Sequence, residues 1–243
     1  MRKRILMIGD TSDLDGVSVD ICSYYDFFTS SIGGNWCHDE IDILQSPAKR
    51  PLFKKLNEIE EADYDYVITI FSGHGCEMDD EIVLAINGDG EDIVLDDLRN
   101  LSQKQLLIID CCRYSYTLLP DDILSLLTGT TALSMSRDPI RKAYEKCIAD
   151  AMPQEIILFA CDGGEIAKDT IDENIRSYSQ HILDATPMAL ADTRSPFISV
   201  NRAHSRAAAL MRKNPFVQQR PQIQKSCSPY HLRLPWAVNP NRL

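Results

Sequence analysis

Short apolar runs of strand length recur along the chain and alternate with segments of helical patterning. Arg4–Ile8, Glu40–Leu44, Tyr66–Ser72, Gln105–Asp110 and Glu155–Ala160 are rich in Ile, Leu, Val or Phe, and each gives way to turn-prone or polar residues. Near-continuous apolar stretches such as Leu106-Leu107-Ile108-Ile109 suit a sheet covered on both faces, since a half-solvated sheet would alternate. Between them, Val17–Ser31 and Leu52–Glu61 read as helices, as does the alanine-rich Ala203–Lys213. Strand and helix alternating at this spacing predict an α/β fold with a mostly parallel sheet. Glu81–Ile86 and Glu91–Leu95 read as a hairpin, because Asn87-Gly88-Asp89-Gly90 supplies the positive φ angles of a tight turn.

The segment Gly129–Met152 lacks a strong core pattern until its second half and reads as an exposed connection between a larger and a smaller part. After Gln218 the chain turns Pro-rich and polar, with Trp236 and Val238 as docking candidates. At 243 residues it is long enough to bury a substantial core. The basic, then apolar start at Met1–Asp10 is too short for a signal-peptide core of roughly 7–15 residues and reads as an opening strand. No run reaches the ~18 apolar residues of a membrane span. The expected location is therefore cytoplasmic, where the eight cysteines stay reduced. A formal net charge of −11 argues against nucleic acid or an anionic membrane as partner and is compatible with a basic peptide.

Two strand ends carry chemistry. In Ile70-Phe71-Ser72-Gly73-His74-Gly75 an apolar strand runs into a histidine between glycines. In Leu107-Ile108-Ile109-Asp110-Cys111-Cys112-Arg113 another ends in an acid and two thiols. Ligands of open parallel sheets bind beyond the C-terminal strand ends, so neighbouring strands would bring His74 and a cysteine into one crevice. A thiol needs a nearby base to become a thiolate, and histidine serves near neutral pH. Strand alternation sends Asp110 and Cys112 to one side and Cys111 to the other.

Ser72-Gly73-His74-Gly75 followed by Asp110-Cys111-Cys112 resembles the paired signatures of caspase and metacaspase cysteine peptidases. The resemblance implies a caspase-like three-layer sandwich, about six mostly parallel strands with helices on both faces. It makes Cys112 the nucleophile and His74 the general acid/base, with the Gly75 and Cys112 N–H groups as oxyanion hole. Leu14-Asp15-Gly16-Val17-Ser18-Val19-Asp20 resembles the metacaspase segment after the first strand. The family's Cys-x-Asn-Asp is here Val17-Ser18-Val19-Asp20, so only Gly16 and Asp20 carry over. Ala160–Ala167 and Gln219-Arg220-Pro221-Gln222 resemble the small-subunit part of bacterial caspase-like proteins.

In metacaspases the acids matching Asp20 and Asp110 line the pocket that binds arginine or lysine before the scissile bond. The resemblance thus implies an endopeptidase acting after Arg or Lys on a protein or peptide substrate. Arg113 follows the nucleophile as in caspases, but no pair of pocket arginines is evident for aspartate specificity. Aspartate specificity and a catalytically silent binding protein stand as alternatives. Residues 1–136 would form the large-subunit-like part, 137–153 a processing linker with Arg137, Arg141 and Lys142 as candidate sites, and 154–243 the small-subunit-like part; the alternative for these basic residues is the solvated face of a helix. An activating protease or a regulatory protein is the implied further partner. The implied biology is regulated limited proteolysis in bacterial defence or cell death.

Other clusters weigh less. Asp79-Asp80-Glu81 with Asp89, Glu91 and Asp92 raises calcium, which some metacaspases need, but lacks the spacing of a calcium loop. No cofactor or metal is expected, and calcium activation is kept as an alternative. Cys37-His38-Asp39-Glu40 has metal-ligand composition without a partner cluster and reads as a loop.

Overall fold

The computed structural model describes residues 1–114, 138–170, 175–226 and 234–243. The elements run β1 Lys3–Gly9, α1 Asp15–Thr29, β2 Ile41–Gln45, α2 Lys49–Glu61, β3 Tyr66–Ser72, β4 Gly75–Met78, β5 Glu81–Ala85 and β6 Asp92–Val94. They continue with β7 Lys104–Asp110, α3 Pro139–Asp150, β8 Gln154–Phe159, α4 Tyr178–Ala191, β9 Phe197–Ser199, α5 Val200–Met211, β10 Gln222–Lys225 and β11 Pro235–Val238.

Six strands form the central sheet in the order β10-β8-β7-β3-β1-β2. All pairs are parallel except β10 with β8. Because side chains alternate across a strand, each apolar run feeds two cores. Ile5, Met7, Ile68, Ile70, Leu106, Ile108, Ile156 and Leu158 face one layer, with residues of α1, α3, α4 and α5. Leu6, Ile8, Val67, Phe71, Leu107, Ile109, Ile157 and Phe159 face the other, with Leu52, Leu56 and Ile59 of α2 and the small β4-β5-β6 sheet. This is the expected three-layer α/β sandwich with a six-stranded, mostly parallel sheet. No described helix is long and apolar enough to cross a membrane.

The expected hairpin is β5–β6. Its acidic neighbourhood has structural work: Asp79 and Asp80, both at positive φ (50° and 67°), form the two-residue turn between Met78 and Glu81. Glu91 accepts from the Lys49 N–H at the start of α2 (2.9 Å) and from Asn87 (2.9 Å). Among the described residues no group of three or more His, Cys, Asp or Glu side chains is placed to hold a metal.

The connection expected over 137–153 is helix from Pro139 to Asp150, capped by Asp138 and docked through buried Tyr144 and Ile148. The mixed sequence of this helix shows only those two residues to the core, which is why its pattern is weak. The Arg141 guanidinium donates to both Glu40 oxygens (2.5 and 2.7 Å) and pairs with Glu145 (3.0 Å). Glu40 also pairs with Lys3 (2.8 Å), whose ammonium lies 3.8 Å from the Trp36 ring centroid. Cys37-His38-Asp39-Glu40 is thus a structural corner, with Cys37 Sγ accepting from Arg141 (3.1 Å). Arg141 and Lys142 therefore lie in a docked helix instead of an exposed connection. Arg137 lies outside the described residues.

The tail after Gln218 supplies β10 and β11. Trp236 is fully buried, stacks on Phe27 (centroids 5.0 Å), meets Phe28 edge-on (5.7 Å) and donates its indole N–H to Thr186 Oγ1 (2.7 Å). It joins α1, α4 and β11 in one cluster. Trp236→Ala should cost about 3–5 kcal/mol, read as a lowered urea midpoint with unchanged slope.

Candidate active site

The cavity opens at the C-terminal ends of β1, β3 and β7, where the strand order reverses between β1, which leads to β2 on one side, and β3 on the other. It has a volume of about 200 Å³, and its lining includes Asp20, Ser72, His74, Asp110, Cys112 and Asp169. Parallel pairing sets Ser72 opposite Asp110. His74 and Cys112 each follow two residues later and so emerge side by side.

Two buried carboxylates form the floor. Asp20, on the inner face of α1, accepts from Ser72 Oγ (3.1 Å), Ser177 Oγ (2.7 Å) and Gln180 Nε2 (2.8 Å). Asp110 accepts from the Ser179 backbone N–H (2.7 Å). Ser177 caps α4 and Ser179 lies in its first turn, so both acids sit at the positive end of that helix. Burial pushes the Asp20 carboxyl above its ordinary value against the pull of these donors. Burial does the same to Asp110, reinforced by the like charge of Asp20.

At the rim, His74 is half-exposed and its Nε2 lies 2.8 Å from Asp13 Oδ1. The Cys112 thiol donates to the Ala167 carbonyl (3.7 Å). Burial raises the Cys112 thiol above its ordinary value, the Asp110 charge adds to the rise, and Lys168 opposes it. Among the described residues His74 and Cys112 share the cavity without a hydrogen bond to each other. Cys111 is 2% exposed and belongs to the apolar layer under β4–β6; burial holds its thiol well above the usual range. Gly75 opens β4, outside the cavity lining, where a Cβ would come 2.5 Å from Cys111 Sγ. Arg113 turns away, pairing with Glu77 (3.1 Å) and covering Phe159 (4.7 Å).

The segment after β8 closes the side of the cavity. Gln219 holds it, donating to the Ala160 carbonyl (3.0 Å) and accepting from the Lys168 N–H (2.7 Å). Arg220 pairs with Glu165 (2.7 Å). Asp169 on this segment accepts from the Gly16 N–H (3.2 Å) at the start of α1. A Cβ on Gly16 would come 1.9 Å from Asp169 Oδ1; the glycine makes room for a third acid beside His74. Asp13, Asp169, Ser177 and Gln180 escaped the sequence reading. Ser177-x-x-Gln180 before an apolar run is a helix-start signature that was there to be found.

The sequence profile of the caspase domain matches residues 2–229. The chain belongs to the caspase-domain family. Among solved structures, caspase-1 from Spodoptera frugiperda superposes with a TM-score of 0.56 at 13% identity, over 92% of this chain and 86% of that one. The Drosophila initiator caspase Dronc gives 0.55 at 10% identity, over 98% and 82%. These likenesses are ones of fold. No curated protein matches the chain.

The raised floor acids have a consequence for this caspase-domain protein. Stability from the protonated pair is fully present below the ordinary carboxylate value of 3.8 and is lost as pH climbs through their raised folded values. Glu40, held down to about 2 by Arg141 and Lys3 despite its burial, contributes stability that is complete above its ordinary 4.5 and lost as pH falls toward 2. Above pH 5 the floor pair and Asp169 lower stability as pH rises, opposed up to about 6.5 by His204, whose burial favours the neutral ring. Asp110→Asn should gain thermal stability over wild type progressively from pH 5 to 9, by several degrees at about 2–4 °C per kcal/mol. Parallel melting profiles would show that α4 already offsets the buried charge.

Proposed function

We propose that this chain is a cysteine endopeptidase that cleaves after arginine or lysine, with Cys112 as nucleophile and His74 as general acid/base. The family supports cysteine-peptidase chemistry and a protein substrate. The observation that carries the specificity is the pair of buried carboxylates, Asp20 and Asp110, flooring the cavity beside the thiol and imidazole. Two acids held together without a cation repel each other and are poorly solvated. A guanidinium or ammonium group inserted between them relieves both penalties, whereas an aspartate side chain would add a third charge.

With the basic side chain seated, the scissile carbonyl lies beside Cys112. His74 takes the thiol proton and Sγ bonds to the carbonyl carbon. The oxygen charge is met by the Gly75 and Cys112 N–H groups. His74 then returns the proton to the leaving amine, and water hydrolyses the acyl-enzyme. The Cys112–Ala167 hydrogen bond and the raised thiol value support a resting form that awaits substrate, an activating protease or a regulatory protein. Since Arg141 is ion-paired within α3 and Lys142 lies on the same helix, cleavage there would need the helix to unwind, which leaves Arg137 as the proposed processing site. Calcium enters this proposal only as an activator, and the biological setting is regulated limited proteolysis in bacterial defence or cell death.

Fluorogenic peptides ending in Arg, Lys and Asp, offered with and without calcium to wild type and Cys112→Ala, test the proposal. Cleavage after Arg or Lys is expected, with a loss of about 1000-fold or more in Cys112→Ala. Turnover after Asp would contradict the acidic-pocket reading. No turnover in any condition, even after the chain is nicked at Arg137, would favour a silent binding protein.

A further inference from the structure

Gly73 precedes the rim histidine at φ +156°, and a Cβ there would come 2.8 Å from Asp10 Cβ. The missing side chain lets the loop between β1 and α1 lie directly against the end of β3. That loop is fastened at its first two residues. The Asp10 N–H donates to the Ser72 carbonyl (3.0 Å), and the Thr11 N–H donates to Ser46 Oγ beyond β2 (3.0 Å). Ser12 donates its N–H to Asp10 Oδ1 (3.2 Å). The loop thereby brings Asp13 to His74, Oδ1 to Nε2, at 2.8 Å.

Strand order gives this contact its direction. β3 lies between β1 and β7, so Asp13 after β1, His74 after β3 and Cys112 after β7 are delivered in that order along the sheet, with the histidine from the middle strand. A carboxylate only accepts hydrogen bonds, so the contact places the hydrogen on Nε2 and leaves Nδ1 as the basic nitrogen. We propose that Asp13 is a positioning residue that fixes the orientation and tautomer of His74, making an acid–imidazole–thiol row of the dyad. The inference rests on the peptidase reading above. When the thiol proton moves to Nδ1, breaking S–H and forming N–H, the resulting imidazolium is paired with Asp13. Among the described residues, the other titratable groups lining the cavity with His74 are Cys111 and Cys112, the floor acids Asp20 and Asp110, and Lys168 and Asp169 on the segment after β8. Asp169 is already engaged by the Gly16 and Thr170 N–H groups (3.2 and 2.8 Å), which leaves Asp13 as the acid in direct contact.

Asp13 and His74 are each nearly half-exposed, so water tempers the effect relative to a buried triad acid. Two readouts test it in the full chain: peptide hydrolysis, and the rate at which iodoacetamide alkylates Cys112, followed by mass spectrometry. Asp13→Ala should lower kcat and the alkylation rate each by about 10-fold, with KM within about two-fold and melting temperature unchanged. Asp13→Glu should restore most of both rates, which a loop that had merely lost its fold would not do. An unchanged or raised kcat in Asp13→Ala, with wild type active, would overturn the positioning role and leave the peptidase reading intact. Alkylation that depends on Asp13 in a wild type that cleaves no peptide even after nicking at Arg137 would uphold the row and overturn the peptidase reading.

Discussion

Two carboxylates removed from water in the cavity that also holds Cys112 and His74 are the constraint around which this molecule is arranged. An unpaired buried charge costs several kcal/mol, and the chain meets that cost with donors from every element that reaches the spot. Ser72 comes from the end of β3, Ser177 and Gln180 from the start of α4, and the Ser179 N–H from its first turn. These bonds tie α1, β3 and β7 to the start of α4, so residues before and after α3 share one set of buried contacts. The specificity proposed above would draw on the same contacts that hold the fold.

The rim follows from topology. Parallel strands β1, β3 and β7 are neighbours, and Asp13, His74 and Cys112 each follow within four residues of a strand's last position. Alternation across β7 sends Asp110 to the pocket and buries Cys111 in the opposite core, where Gly75 leaves space for its sulfur. The glycines around His74 thus serve close approach: Gly73 for the Asp10 loop, Gly75 for Cys111, and Gly16 for Asp169 in the same way.

Much of this was readable from sequence because it depends on local pattern. The β3 run Tyr66–Ser72 was legible to the residue, since a doubly covered strand is apolar throughout and its glycines mark its end. The other central strands shift by one residue. The strands β10 and β11 were not legible as such. Gln222–Lys225 is a polar edge strand whose partner, β8, lies more than sixty residues away, and Trp236 is fixed by tertiary contacts alone. The docking of α3 leaves no local pattern, because its charged residues Arg141 and Glu145 are satisfied by Glu40 and Lys3, a hundred or more residues earlier. Asp13 and Asp169 carried no motif, and only the folded loops bring them to His74 and Gly16.

The central claim is that buried negative charge selects a cationic side chain, and the most direct measurement compares two substrates of nearly one shape. Peptides ending in arginine and in citrulline, which replaces the guanidinium by a neutral urea, should differ in kcat/KM by about 10- to 100-fold in wild type, as expected for losing a charged hydrogen-bonded pair. The ratio should fall toward unity when Asp20 and Asp110 are both replaced by asparagine. Equal turnover of the two substrates by wild type would contradict the account, because the pocket would then be reading shape and not charge.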